Sequence, residues 1–232
     1  MRYILNPSLY FYLFAAIFVG IQAFTDYCNK KCSGTNAKHT MCLYASTGYG
    51  RNCKKIIRKG LTPEEMKILV HKHNDLRAFV ASGREKQGAP GPQPAAVHMP
   101  NLEWDDELAN VAQVWANQCN YGHDECKDVQ RFQVGQNIYE MTSDYREKPD
   151  LNWFLNDWYD EVKFLKNSEV KKFSGDNIKK VGHYTQIVWA KTTRVGCGLV
   201  EYISLDDWWN VYLVCNYGPS GNYYDQPIYQ TR

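Results

Sequence analysis

The chain carries almost no excess of charge, with 27 basic residues against 25 acidic ones. Proteins that hold nucleic acid through its phosphates show a large positive surplus, so that class of partner is excluded. Lysines and acids are interspersed between positions 54 and 191, without a dominant basic stripe. Long apolar runs are missing too. The N-terminal run at residues 9–21 is 13 residues long, short of the roughly 20 that a membrane-crossing helix needs, and no later stretch is long and apolar enough. Several enzyme signatures are absent: no His-Glu-x-x-His zinc-protease motif, no glycine-rich phosphate loop, no Gly-x-Ser-x-Gly elbow. There is no Asn-x-Ser/Thr sequon, so N-glycosylation is not expected. No internal repeat or low-complexity tract occurs.

What is present begins at the N-terminus. Arg2, the apolar run and Ile21-Gln22-Ala23 before Phe24 form the pattern of a secretory signal peptide over residues 1–23. The 209 residues that remain have 26 basic and 25 acidic side chains and are enough for one domain with a sizeable core. A secreted, extracellular monomer is expected. All eight cysteines lie in this mature part. An even count in an oxidising compartment reads as four disulfides, although spacing alone leaves about a hundred pairings open. Cys28 and Cys32 have a spacing that zinc modules use, but no second pair follows closely.

Residues 24–60 are rich in Cys, Gly, Asn and Lys and short of apolar periodicity. They read as a cysteine-rich N-terminal extension packed on a main domain at 61–232. Thr62-Pro63-Glu64-Glu65 is a capping box with proline at the first helical position. It opens a helix in which Met66, Leu69, Val70, His73 and Val80 share one face, and Gly83 stops it. Residues 83–100 hold four prolines and three glycines and form an irregular loop. Leu108, Val111, Ala112, Trp115, Ala116 and Cys119 make the apolar stripe of a second helix capped by Asp105. A third helix is expected over 150–165, burying Leu151, Phe154, Leu155, Trp158, Val162 and Leu165. Branched and aromatic runs at 186–189, 197–202 and 211–215 then read as strands. The last two would make a hairpin about residues 204–210, with Cys197 and Cys215 as neighbours across it. Helices first and a small sheet late imply an α+β layered domain.

Three residues stand out as candidates for chemistry. His123 is pinned beside Cys126, and His183 follows Gly182 just ahead of an apolar run. Glu161 sits at the margin of the third helix's buried face. If all eight cysteines are oxidised, no thiolate nucleophile remains.

Gly182-His183-Tyr184-Thr185-Gln186-Ile187-Val188-Trp189, followed by Gly196-Cys197-Gly198, resembles the first signature of the CAP superfamily of cysteine-rich secretory, antigen 5 and pathogenesis-related proteins. Tyr212 to Asn222, through Cys215-Asn216-Tyr217-Gly218, resembles the second. His73-Asn74-Asp75-Leu76-Arg77 and Gly135-Gln136-Asn137-Ile138 match other landmarks. Gly91-Pro92-Gln93-Pro94, the run from Val111 to Cys119, and Tyr121-Gly122-His123-Asp124 are similar to the venom allergen 5 group of wasps and ants. The resemblance implies a CAP-type three-layer α-β-α sandwich with a small antiparallel sheet between helices. It also implies the disulfides Cys28–Cys42, Cys32–Cys126, Cys53–Cys119 and Cys197–Cys215.

The same resemblance implies a cleft formed by His123, Gln136, Glu161 and His183. Family members have a glutamate where this chain has Gln136, which removes a charge and a base, since an amide takes no proton near neutral pH. His123 and His183 would then hold a divalent metal such as zinc only weakly, and no cofactor is required. A C-terminal cysteine-rich module of the kind that blocks ion channels in some relatives is not present after Cys215. The leading functional reading is a non-enzymatic venom allergen that host antibodies recognise and that binds a lipid or another small amphipathic ligand. The alternatives are a metal-assisted hydrolase or protease using His123, His183 and Glu161, and a host-interaction protein with a vestigial cleft.

Overall fold

The structure, a computed structural model, describes residues 25–232; the signal peptide read at residues 1–23 lies outside the described residues. Along the chain run α1 (Thr40–Leu43), β1 (Lys55–Lys59), α2 (Pro63–Ala81), β2 (Glu103–Trp104), α3 (Asp106–Ala116), β3 (Gly135–Ser143), α4 (Leu151–Asp160), α5 (Ile178–Ile187), β4 (Arg194–Ile203) and β5 (Trp209–Gly218). Two 3-10 turns, Glu161–Phe164 and Asn167–Val170, follow α4.

β4 and β5 pair as an antiparallel hairpin to which the other strands are added. The order is β1-β4-β5-β3, all antiparallel, with β2 parallel beside the start of β4. Alternation along the strands splits the side chains between two layers. Leu199, Val211, Leu213 and Tyr217 pack with α2, α4 and α5 on one face. Val200, Tyr202, Tyr212 and Val214 meet Ala112 and Trp115 of α3 on the other. The result is an α+β fold, a three-layer α-β-α sandwich.

Two glycines bring α3 against the sheet. A Cβ at Gly196 would lie 2.3 Å from the backbone nitrogen of Ala109, and one at Gly198 would lie 2.3 Å from that of Gln113. Between β1 and β2, on the outer edge of β4, Leu199 C=O accepts Gly60 N–H at 2.8 Å, but Leu199 N–H has no backbone partner among the described residues. The Gln113 amide covers it, accepting from Leu199 N–H and donating to Leu199 C=O, each at 2.9 Å. Cys197 lies between the two glycines, points to the opposite face and is bonded to Cys215 directly across the hairpin. The other disulfides join Cys28 to Cys42, Cys32 to Cys126 and Cys53 to Cys119. The last two fasten the N-terminal segment to the region just beyond α3.

The sequence reading needs correction at one supposed strand, at the end of the third helix and at two strands it did not foresee. Residues 186–189 are not a strand: Gln186 and Ile187 end α5, and Val188 is its C-cap. Branched apolar residues here suit a fully buried helix end as well as a strand, and burial on all sides removes the periodicity that would separate them. His183 therefore lies inside a helix. The third helix keeps its α geometry only to Asp160 and then tightens into the 3-10 turn. β1 and β3 place sheet early and midway in the chain, ahead of the late hairpin.

The run from His73 to Arg77 acts as a structural clamp on α2. The Asn74 side chain donates to Leu102 C=O and accepts from Leu102 N–H, at 3.0 and 2.7 Å. Arg77 is 1 % exposed, and its five N–H groups donate to the carbonyls of Pro100 (twice), Ile187, Trp189 and Thr192. His73 is fully buried. Its Nδ1–H donates to Leu69 C=O at 2.7 Å, and its Nε2 accepts from the Tyr217 hydroxyl at 2.8 Å. Burial lowers the His73 pKa from 6.5 to about 4.

Between those values the unfolded chain binds a proton that the folded chain refuses. The stability due to neutral His73 is present above the unfolded pKa and lost as pH falls toward the folded one. Its share should be about 3 kcal/mol, from 1.36 kcal/mol per pKa unit. Urea unfolding at a series of pH values between 7 and 4 should show that slope in the parent, and a His73→Gln variant should lack that part of it. Equal slopes would mean the imidazole is protonated in the folded chain.

Candidate functional site

The cleft residues come from β3, from the loop after α3, from the turn after α4 and from α5. His123 Nδ1–H donates to Gln136 Oε1 at 2.9 Å. Gln136 Nε2 donates to Asp124 Oδ1 at 2.8 Å and to Asn216 Oδ1 at 2.9 Å. Both donors and the acceptor of this amide are therefore engaged. A carboxylate at position 136 would face Asp124 Oδ1 acceptor against acceptor, so the neutral side chain and Asp124 suit each other. His123 is exposed, yet desolvation by the protein around its ring lowers its pKa below the usual value.

Across the cleft, His183 Nδ1–H donates to Glu161 Oε1 at 2.7 Å. Glu161 Oε2 also accepts the backbone N–H groups of His183 and Tyr184, at 2.8 and 3.1 Å. The His183 ring stacks on Trp158, centroids 5.7 Å apart, and the Asn137 amide holds the His183 carbonyl at 3.1 Å. The four sequence candidates thus form two hydrogen-bonded pairs, His123 with Gln136 and Glu161 with His183. Both histidines line one cleft of about 660 Å³, together with Tyr121, Asn137, Ile138 and Asn222. Sequence reasoning missed Asp124 and Asn216 as the partners of Gln136. Both lie within quoted motifs, but nothing in a linear motif says which side chains turn toward one another.

A metal needs donors that converge. The Nδ1 atom of each histidine is taken up by its partner, which leaves two Nε2 atoms. Among the described residues no group of three or more His, Cys, Asp or Glu side chains is placed to hold a metal ion. Catalytic zinc takes three protein ligands, so this donor set does not fit that role.

A second concavity was not foreseen. Met66, Val70, Asn74 and Ala78, four residues apart along α2, make a stripe that Asn101 and Trp104 wall on one side. The groove has a volume of about 700 Å³ and is rimmed by Lys67, His71 and Asp75. Its floor is largely apolar, and the rim is charged.

Comparison with known proteins gives the following. The family model described as the cysteine-rich secretory protein family, CAP, matches residues 70–217. Venom allergen 3 of Solenopsis invicta is 52% identical over 211 residues, covering 90% of each chain. Venom allergen 5 of Vespula maculifrons is 48% identical over 207 residues, covering 89% of this chain and 100% of the relative. The crystal structure of NaASP2 with Zn2+ superposes with a TM-score of 0.64 at 30% identity, covering 80% of this chain and 91% of that one.

Proposed function

Since the chain belongs to the cysteine-rich secretory protein family, CAP, we propose that it is a secreted, venom-allergen-like protein that acts by binding rather than by catalysis. Its ligand is a lipid or a similar small amphipathic molecule, and its outer surface is what host antibodies meet. The groove on α2 carries this reading. An apolar floor of Met66, Val70 and Ala78 accepts a hydrocarbon chain, and Lys67 and His71 on the rim suit a polar head. The cleft supports the non-catalytic half. Gln136, where relatives with the Gly-Glu-Asn motif have a carboxylate, offers no base and has no free hydrogen-bonding group.

The test is native mass spectrometry of the mature, oxidised protein with a long-chain fatty acid as probe. Trp104→Ala is expected to weaken binding about tenfold or more, because burying a large apolar side chain against a ligand is worth roughly 1.5–3 kcal/mol. A His123→Ala/His183→Ala pair should bind as the parent does. Loss of binding in the cleft pair alone would move the ligand to the cleft. No adduct in the parent would end the lipid reading. Hydrolysis of a peptide or ester substrate that vanishes in His183→Ala would replace binding by catalysis.

A further inference from the structure

The near-neutral charge of the chain is an average over two unequal parts. Residues 25–60 hold eight basic side chains and one acid, Asp26, a net of +7. Residues 61–232 hold 18 basic and 24 acidic side chains, a net of −6. The interspersion of charges is thus a property of the larger part alone.

The basic part is held as a fixed surface. Tyr27 donates to Glu107 in the first turn of α3 at 2.7 Å, and Gly50 N–H donates to Asn117 C=O at the helix C-cap at 3.0 Å. The segment therefore runs the length of α3, about 17 Å at 1.5 Å per residue. Ser33 N–H and the His39 ring bind Asp128, and Thr40 donates to Asp124. Its end is β1, on the edge of the sheet. Of the acids beside the segment, Glu107, Asp124 and Asp128 are occupied by hydroxyl and backbone donors and by Arg131 and Lys127, which belong to the body, and Glu125, next to Cys126, is exposed. Within the segment, Arg58 is neutralised by Glu65 and Glu201, and Lys54 by Asp207. Lys31, Lys38, Arg51 and Lys55 are exposed and make no ion pair among the described residues. Lys59 is exposed as well, and its ammonium donates to Ser46 C=O.

We propose that this face, the outer surface of the α3 layer carrying Lys31, Lys38, Arg51 and Lys59, is a binding surface for a sulfated polysaccharide. Charge complementarity selects a polyanion. The form of the surface selects among polyanions. Its only helix is α1, a single turn, so the amphipathic helix that seats a protein in a lipid interface is lacking. It presents separated, mostly lysine charges on a disulfide-fastened frame, which a flexible chain of sulfates can follow residue by residue. The proposal is independent of the groove on α2, which lies in the opposite layer.

The experiment is heparin-affinity chromatography of the mature, oxidised protein, with affinity measured as a function of salt. The parent should be retained near ~0.15 M salt, where the Debye length is about 8 Å. The variant Lys31→Gln/Lys38→Gln/Arg51→Gln/Lys59→Gln should bind about tenfold more weakly or worse and show a shallower dependence of log K on log salt. A control, Lys163→Gln/Lys166→Gln/Lys171→Gln/Lys180→Gln, removes the same charge from exposed positions outside the segment and should elute with the parent. Circular dichroism and a thiol count establish that both variants are folded. Equal shifts in the two variants would reduce the effect to net charge and overturn the proposal. So would a parent that is not retained, or one that binds phosphatidylserine vesicles or duplex DNA and not heparin.

Discussion

Replacing Arg77 with methionine is expected to destabilise the folded chain by about 3–5 kcal/mol, the range for removing one side of a buried charged network. The reason is in the count of donors and acceptors. All five guanidinium N–H groups are spent on four carbonyls, two of them at the end of α5 and just beyond it, one at Thr192 and one at Pro100. Methionine fills much of the volume but leaves those carbonyls buried without donors, each at a cost of about 1–3 kcal/mol before relaxation. Burial lowers the Arg77 pKa to about 9, so the group is charged at neutral pH, and the carbonyl oxygens alone solvate it. Arg77→Lys should fall between, since an ammonium has three donors and no planar fork. Urea unfolding measures both variants. A loss below about 1 kcal/mol for Arg77→Met would show that water or a rearranged loop takes over the carbonyls.

Gly198→Val is expected to cost about 3 kcal/mol or more and to reduce the yield of folded, oxidised protein. The Cβ would lie 2.3 Å from both N and Cα of Gln113, and these are backbone atoms of a helix that cannot rotate away. To make room, α3 must lift from the sheet, and lifting it breaks the two bonds from the Gln113 amide to Leu199 and leaves the Leu199 N–H without a partner. Gly48 provides the comparison. A Cβ there meets nothing nearer than 3.5 Å, so Gly48→Ala should lie within about 0.5 kcal/mol of the parent. If Gly198→Val unfolds at the same urea concentration as Gly48→Ala, the helix and sheet are not in contact as described.

Local signals told most where the chemistry is local. The Thr62/Glu65 capping box is formed in both directions, at 3.2 and 2.8 Å, and Asp105 and Asp150 cap α3 and α4 through their carboxylates. The 3.6-residue stripe of α3 is the face that meets the sheet. Other elements leave no such trace. β3, Gly-Gln-Asn-Ile-Tyr-Glu-Met-Thr-Ser, is poor in branched residues and largely half-buried: it is an edge strand, and its start at Gln136 and Asn137 lines the cleft while Ile138, Tyr139 and Met141 reach the cores. β1 is short, lysine-rich and at a sheet edge, where charge keeps other strands from adding on. The apolar stretch at 186–189 was ambiguous for the opposite reason, being buried on every side. In the cleft, histidine and glutamate drew attention by residue type. The partners of Gln136 did not, because Asp124 and Asn216 approach it from a loop and from a strand far along the chain.

The sheet has a further consequence for how such a chain is made. Its central pair, β4 and β5, is the last regular structure to leave the ribosome, and every earlier strand takes its hydrogen bonds from one of them. Lys55 waits for Ile203, and Gln136 waits for Asn216. Until that hairpin emerges, the apolar faces of α2, α3 and α4 have no sheet to rest on. A nascent chain must therefore travel most of its length as tethered, unfinished helices, and termination just before residue 194 would leave it without a core to close.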